Sequence, residues 1–344
     1  MVPLLETDVR IAPLEEDPAL STGADLPRRL FHCRLDDQPD HLVPERFLRD
    51  WAREDLSDRP LFLNPNCSFV HQGEPPPPLA DSERLLGDFA LGANIIWIDH
   101  PVRDVLLPFW LGPEFSALVA GLQAGDRAPC VLSSEARRVL AVAEVLVPGD
   151  YVSTRSRLWR NAISRCAAQF EAKRYTPIAQ LLHPFHISAL RRYYRHLIRT
   201  GKIPLGDSQS PRRYWVQNDS VARFFHHQLT TTVSRVVEEP VKPSYVYFAS
   251  YQSGAELEAH TDREQCEFSI SLCIDYSPEP VRETPWPLQL HTASGTNAVF
   301  QGIGDGLIYA GRELPHFRGP LPPGNTSTSL FFHYVREGFT GKLT

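Results

Sequence analysis

The sequence predicts an α+β protein: a strand-rich C-terminal domain of the β-sandwich or barrel kind, buttressed by helices, behind a smaller N-terminal α+β domain. Three observations predict it. Beyond Pro240, the segments SYVYFASY, AELEAH, CEFSISLCIDY, LQLHTA, NAVFQG, DGLIYAG and STSLFFHYV read as short strands, parted by Gly, Pro and Asp or Asn turns. Ahead of them, two stretches place apolar residues at helical spacing. The tetraproline of GEPPPPLA, residues 73–80, divides an irregular start from a segment with strand and helix signals of its own, because proline fixes φ and lacks a backbone donor.

A chain of 344 residues predicts about two domains, which we place at 1–150 and 151–344. Within the first, NIIWIDHP and DVLLPFWL read as strands, and GPEFSALVAGLQ and SSEARRVLAVAEVLV as helices. Strand, strand, helix, helix over residues 92–150 fits a winged-helix-like unit. In pattern it resembles the peptide-recognition modules that deliver precursor peptides to tailoring enzymes. From about residue 176 the period changes: Ile187, Leu190, Tyr194, Leu197 and Ile198 recur on one helical face, and Gly201 stands where a left-handed cap belongs. A second helix runs from Asp219 or Ser220 through VARFFHHQLTTTVSRVVEE, with a capping residue at its start and Pro240 after its end.

Composition narrows the function classes. A 42% hydrophobic content is globular, and no apolar run approaches the roughly 20 residues that span a bilayer. The opening residues show neither a basic n-region nor an apolar h-region, so the expected location is the cytoplasm, without a membrane partner. A net charge of −6 argues against nucleic acid as a partner; the basic stretch RRYYRHLIRTGK, residues 191–202, reads as the solvated face of a helix. Six cysteines without a C-x-x-C pair read as free thiols.

Chemistry concentrates in YQSGAELEAHTDREQCEFSISL, residues 251–272, and in ELPHFRGPL some fifty residues later. In β conformation residues i and i+2 share a face, so His260 and Asp262 can offer an imidazole and a carboxylate to one ion from a strand end. His316 follows the strand-like DGLIYAG through a short loop and supplies a third ligand. Two histidines and one carboxylate on one face of an iron leave open positions, an arrangement that suits oxygen activation better than structural zinc, which prefers four closed ligands. A lone H-x-D is weak, since the chain has thirteen histidines. His226 and His227 read as core or surface residues of a helix, His183 and His186 as flanks of a helix start, and His291 as strand packing, while His333 is a residue that can face the pocket. Tyr245 and Tyr247 read as barrel lining.

With Tyr251 and Gly254 standing before His260 as Y-x-x-G, residues 176–337 resemble the double-stranded β-helix (jelly-roll) oxygenases that use iron(II) and 2-oxoglutarate, closest to the prolyl-hydroxylase-like branch. The resemblance implies iron(II), 2-oxoglutarate as co-substrate and O2, with His260, Asp262 and His316 as metal ligands and catalytic centre. It implies a hydroxylase releasing succinate, since related halogenases replace the carboxylate at Asp262 with a small residue. It also implies that Tyr251 hydrogen-bonds the co-substrate. In that family a basic residue about nine or ten positions after the distal histidine pairs with the far carboxylate. Here Asn325 and Thr326 stand there, so Arg318, entering from the loop and helped by the hydroxyls of Ser327 or Ser329, is the expected anchor, with Arg263 as its rival. The added N-terminal region implies a peptide or protein side chain as substrate, delivered by the 92–150 unit, with a small metabolite as the alternative and a non-catalytic metal-binding sensor as a third reading.

Overall fold

The period-two pattern beyond Pro240 folds into two antiparallel sheets, β8 (Val241–Tyr251), β9 (Leu257–His260), β10 (Phe268–Ser277), β11 (Leu288–Thr292), β12 (Gly295–Val299), β13 (Gly306–Tyr309), β14 (His316–Arg318) and β15 (Thr326–Arg336). The computed structural model describes residues 31–35, 59–70, 86–91, 94–100, 104–119, 121–129 and 132–344. The proline linker at 73–80, the N-terminal residues 1–30 and Cys130 lie outside them. With β6 (Tyr175–Ile178) and β7 (Arg213–Gln217), the larger sheet has the order β6-β13-β10-β15-β8-β7, and the smaller β12-β11-β14-β9. The two sheets face each other. Leu288 and Leu290 of the small sheet pack on Tyr175, Leu307 and Tyr309 of the large one, and Trp286 and Leu321 pack on Tyr251, Tyr276 and Phe331.

The other face of the large sheet is covered by helices. These are α3 (Tyr151–Lys173), α4 (Pro184–Arg199), α5 (Ser220–Gln228) and α6 (Thr230–Val237), preceded in the chain by α1 (Pro113–Val119) and α2 (Ser134–Val142). The α4 pattern was legible, and Gly201 takes the left-handed φ of 67° after its end. The single helix expected after Asp219 is two: Asp219 caps α5, and the chain turns at Leu229 before three consecutive threonines. Threonine hydroxyls compete for helix carbonyls, as Thr230 Oγ1 does for His226 O. The basic stretch at 191–202 is not a solvated face throughout. Arg191 is buried and pairs with Asp275 and Glu279, and Arg195 also grips Asp275.

The two expected N-terminal strands form, β3 (Ile95–His100) and β4 (Val105–Trp110) pairing as a hairpin joined by β2 (Cys67–Val70). The helix expected over SSEARRVLAVAEVLV ends at Val142, and its last residues instead enter β5 (Leu146–Pro148), which pairs with β1 (Leu61–Leu63), because β-branched Val145 and Val147 suit a strand. The unit shares one apolar core with the helices behind the large sheet. Phe109 lies 4.8 Å from the His186 ring and Phe31 5.8 Å from Phe225. Its outer contacts are also polar: His183 Nε2 meets Val142 O at 3.0 Å, and Leu106 N–H donates to Gln228 Oε1 at 2.6 Å. The described cysteines are free thiols, and no described helix is long and apolar enough to cross a membrane.

Candidate metal centre

Strand pairing brings the three sequence-predicted ligands together. His260 ends β9 and His316 begins β14, and the antiparallel register sets them directly opposite, with ring centroids 4.4 Å apart. Asp262 Oδ1 lies 3.9 Å from His260 Nε2 and 3.6 Å from His316 Nε2, so one ligand atom from each falls within 4.8 Å of the others. Both imidazoles are oriented by backbone. His260 Nδ1 donates to Glu258 O at 2.8 Å and His316 Nδ1 to Leu314 O at 2.9 Å, which leaves each Nε2 as a lone-pair donor toward the shared centre.

Asp262 is held as firmly. Its N–H donates to Gly311 O, and its Oδ2 accepts from Ser269 Oγ at 2.7 Å, leaving Oδ1 for the histidine side. Ser269 has one proton and gives it to Asp262, so His333 Nδ1–H, 2.9 Å away, donates to the serine oxygen. Burial raises the Asp262 carboxyl, but the His316 and His333 imidazoles and the Ser269 hydroxyl outweigh it and hold it at about 2. Burial also lowers the His260 imidazole and pushes His333 down to about 4. Asp262 is therefore a carboxylate and His260 is held toward its neutral form, the protonation states in which these groups bind a divalent cation. A donor set of two imidazoles and one carboxylate, open on one side, fits iron(II).

The second predicted component lies on the same strand as His316. Arg318 sits on β14 itself rather than in a loop, two residues after His316, so alternation sends it into the same interior. It is 4% exposed, donates from Nη1 to Trp286 O at 2.6 Å, and lies with its guanidinium 4.7 Å from the Trp286 ring centre. Its remaining contacts, Ser271 Oγ and Gln301 Oε1, are long and neutral. Among the described residues no ion pair balances its charge, and Arg318 Nε and Tyr276 Oη are buried without partners. A buried cation with unfilled donors calls for an anion. Arg263 is exposed at the rim.

Ser327 and Ser329 are buried on the face of β15 that carries Phe331 and His333, with Ser327 paired across to Tyr251. Tyr251 is buried at the end of β8 with its ring 5.0 Å from Trp286. The triad opens into a cavity of about 440 Å³ whose walls include Trp215, Tyr245, Tyr247, Leu257, Phe331 and His333. Its lining begins at Asp207, so no described N-terminal residue reaches it.

Sequence reasoning missed Ser269, Gly311, Trp286 and Arg213. For Ser269 a signal existed: serines at 269 and 271 alternate with the apolar Phe268, Ile270 and Leu272, which puts two hydroxyls on one face of the strand. Trp286 lay in a proline-rich segment read only as loop, and Gly311 and Arg213 act across strands distant in sequence.

No family model matches the chain, and no curated protein matches it. Similar solved structures include the non-haem alpha-ketoglutarate-dependent epimerase SnoN from nogalamycin biosynthesis, at 12% identity, 52% of this chain, 82% of that one and a TM-score of 0.44. A Pseudomonas putida prolyl-4-hydroxylase matches at 16% identity over 51% of this chain and 100% of its own, with a TM-score of 0.43. AviO1 from Streptomyces viridochromogenes Tue57 matches at 18% identity over 52% of this chain and 97% of its own, with a TM-score of 0.43.

Proposed function

We propose that the chain is a non-haem iron(II)/2-oxoglutarate-dependent dioxygenase on a double-stranded β-helix, hydroxylating a C–H bond. One observation carries the reading: the open His260–Asp262–His316 triad shares β14 with a buried arginine, Arg318, that has no anionic partner among the described residues. The three ligands would hold iron(II), which with 2-oxoglutarate and O2 supplies the C–H oxidation and releases succinate. Arg318 would match the far carboxylate of the co-substrate, with Tyr251, Tyr276, Ser327 and Ser329 offering hydroxyls beside it. Ser269 would keep Asp262 bound through one oxygen. The aromatic wall of Trp215, Tyr245 and Tyr247 would present the substrate.

A peptide or protein side chain remains our substrate, with the 92–150 unit holding the peptide away from the metal, on the far side of the helices. A small metabolite is the second reading, favoured by a cavity whose walls, among the described residues, all come from residue 207 onward. Iron(II)-loaded protein should turn over 2-oxoglutarate slowly to succinate without substrate and stop when the iron is chelated. No succinate, together with no absorption band on anaerobic addition of 2-oxoglutarate, would reject the enzyme reading.

A further inference from the structure

The Tyr251 hydroxyl is engaged from one side only. Arg213, on the strand that pairs with β8 and directly opposite Tyr251, donates from Nη1 to Tyr251 Oη at 3.3 Å. A phenol has one proton to give and lone pairs to receive. Once Arg213 fills the receiving side, the proton must go elsewhere, and among the described residues no acceptor takes it. The Tyr251 ring meets Trp286 edge-on at 5.0 Å and the Arg318 guanidinium lies over the same indole, so the phenol and the cation share one neighbour.

Arg213 is not itself available to an anion. Its Nε donates to Asp207 Oδ2 at 2.9 Å, and Nη2 donates to the same carboxylate and to Gln209 Oε1. Asp207 is fixed in turn by Tyr247 Oη at 2.5 Å and by the backbone N–H groups of Gln209 and Ser210. Two buried arginines thus approach Tyr251 with opposite character, one neutralised by a carboxylate and one not.

We propose that Arg213 is a positioning residue: held by Asp207, it occupies the Tyr251 oxygen and so commits the phenol proton to a carboxylate of 2-oxoglutarate. The inference rests on the co-substrate reading above. A hydroxyl that accepts a charge-assisted bond is also the better donor, because polarised hydrogen bonds reinforce one another. Arg213 acts through Tyr251 and touches no reacting atom.

The test is a double-mutant cycle on the iron(II)-loaded full chain, read by anaerobic titration of 2-oxoglutarate on its metal-to-ligand absorption band. Tyr251→Phe and Arg213→Gln should each weaken 2-oxoglutarate by about tenfold and leave iron(II) affinity unchanged. Combined, they should weaken it no further than either alone, since both remove one interaction. A merely structural arginine would add its loss to that of Tyr251→Phe, and additive losses overturn the role, as does unchanged affinity in Arg213→Gln. If Arg213→Gln does not fold because Asp207 is left unpaired, Asp207→Asn/Arg213→Gln removes both charges and runs the same cycle. Absence of any band in the unsubstituted iron-loaded protein overturns this inference and the co-substrate reading together; a normal band with additive losses overturns this inference alone.

Discussion

Gly311 lies against Asp262 so closely that a Cβ on it would stand 2.1 Å from Asp262 Oδ2 and 2.9 Å from the Cys266 carbonyl oxygen. The Gly311 carbonyl also accepts the Asp262 N–H at 2.9 Å, so one residue both anchors Asp262 and leaves room for its carboxylate. Gly311→Ala must move the carboxylate away from the histidines or displace the backbone. Iron(II) affinity should fall by about tenfold or more, the range in which support of metal ligands matters. Calorimetric titration of iron(II) under anaerobic conditions checks this, and unchanged affinity would show that the carboxylate is not held there as a ligand.

Arg318 should be the charge partner of the co-substrate. Arg318→Ala removes a charge-assisted contact and should weaken 2-oxoglutarate by about 2 kcal/mol, or roughly thirtyfold, with iron(II) binding intact. Arg318→Lys should recover little, because an ammonium lacks the planar fork that stacks on Trp286 and bonds Trp286 O. Equal affinity in Arg318→Ala would move the anchor to Arg263 or to the hydroxyls of the final strand.

The seam between the N-terminal unit and the helices should be acid-sensitive at His186. This ring is fully buried; Nε2–H donates to Pro108 O at 2.9 Å, and Nδ1 has no partner to receive an added proton. Burial, helped by His183, lowers it to about 3. An unfolded histidine titrates near 6.5, so between about 6.5 and 3 the unfolded chain binds a proton that the fold refuses. The contribution is full above that range and is lost as pH falls, by about 1.4 kcal/mol per unit. His186→Gln keeps a donor for Pro108 without the titration. Between pH 7 and 5 it should lose about 2 kcal/mol less stability than the parent in urea unfolding. Identical pH slopes would contradict a buried neutral imidazole.

Excising residues 92–150 should not yield a working catalytic half. The cut would uncover Phe185, His186 and Phe224, against which Phe109 and Trp97 of the hairpin now pack. Aggregated or molten protein is the expected product, read by near-ultraviolet dichroism and sedimentation. A folded, fully active fragment would show instead that the helices close over their own core. Paired surface substitutions on the hairpin are therefore the better probe of peptide recognition.

The amino-acid sequence by itself determined the strand-rich C-terminal half, the helix ending before Gly201, and the His260–Asp262–His316 pattern. Each is written in short-range period, in a cap, or in the i, i+2 rule that sends two side chains to one side of a strand. Less of the site's support was legible. That Arg318 has no carboxylate partner among the described residues, while Arg213 is neutralised by Asp207, depends on which groups pack around each guanidinium, and both arginines look alike in a string of letters. Gly311 reads only as the end of the strand-like DGLIYAG until the approach of Asp262 shows what a side chain would strike. Trp286 reads as part of a proline-rich loop until Arg318 stacks on it. The β3–β4 hairpin and the starts of the two helices after it were readable, but the strand at Leu146–Pro148 and the core shared with the later helices were not, because pattern reports which face of an element is apolar and not which distant face it meets. Tertiary structure alone decided those pairings, since burial and charge balance are set by neighbours brought together across strands far apart in the chain.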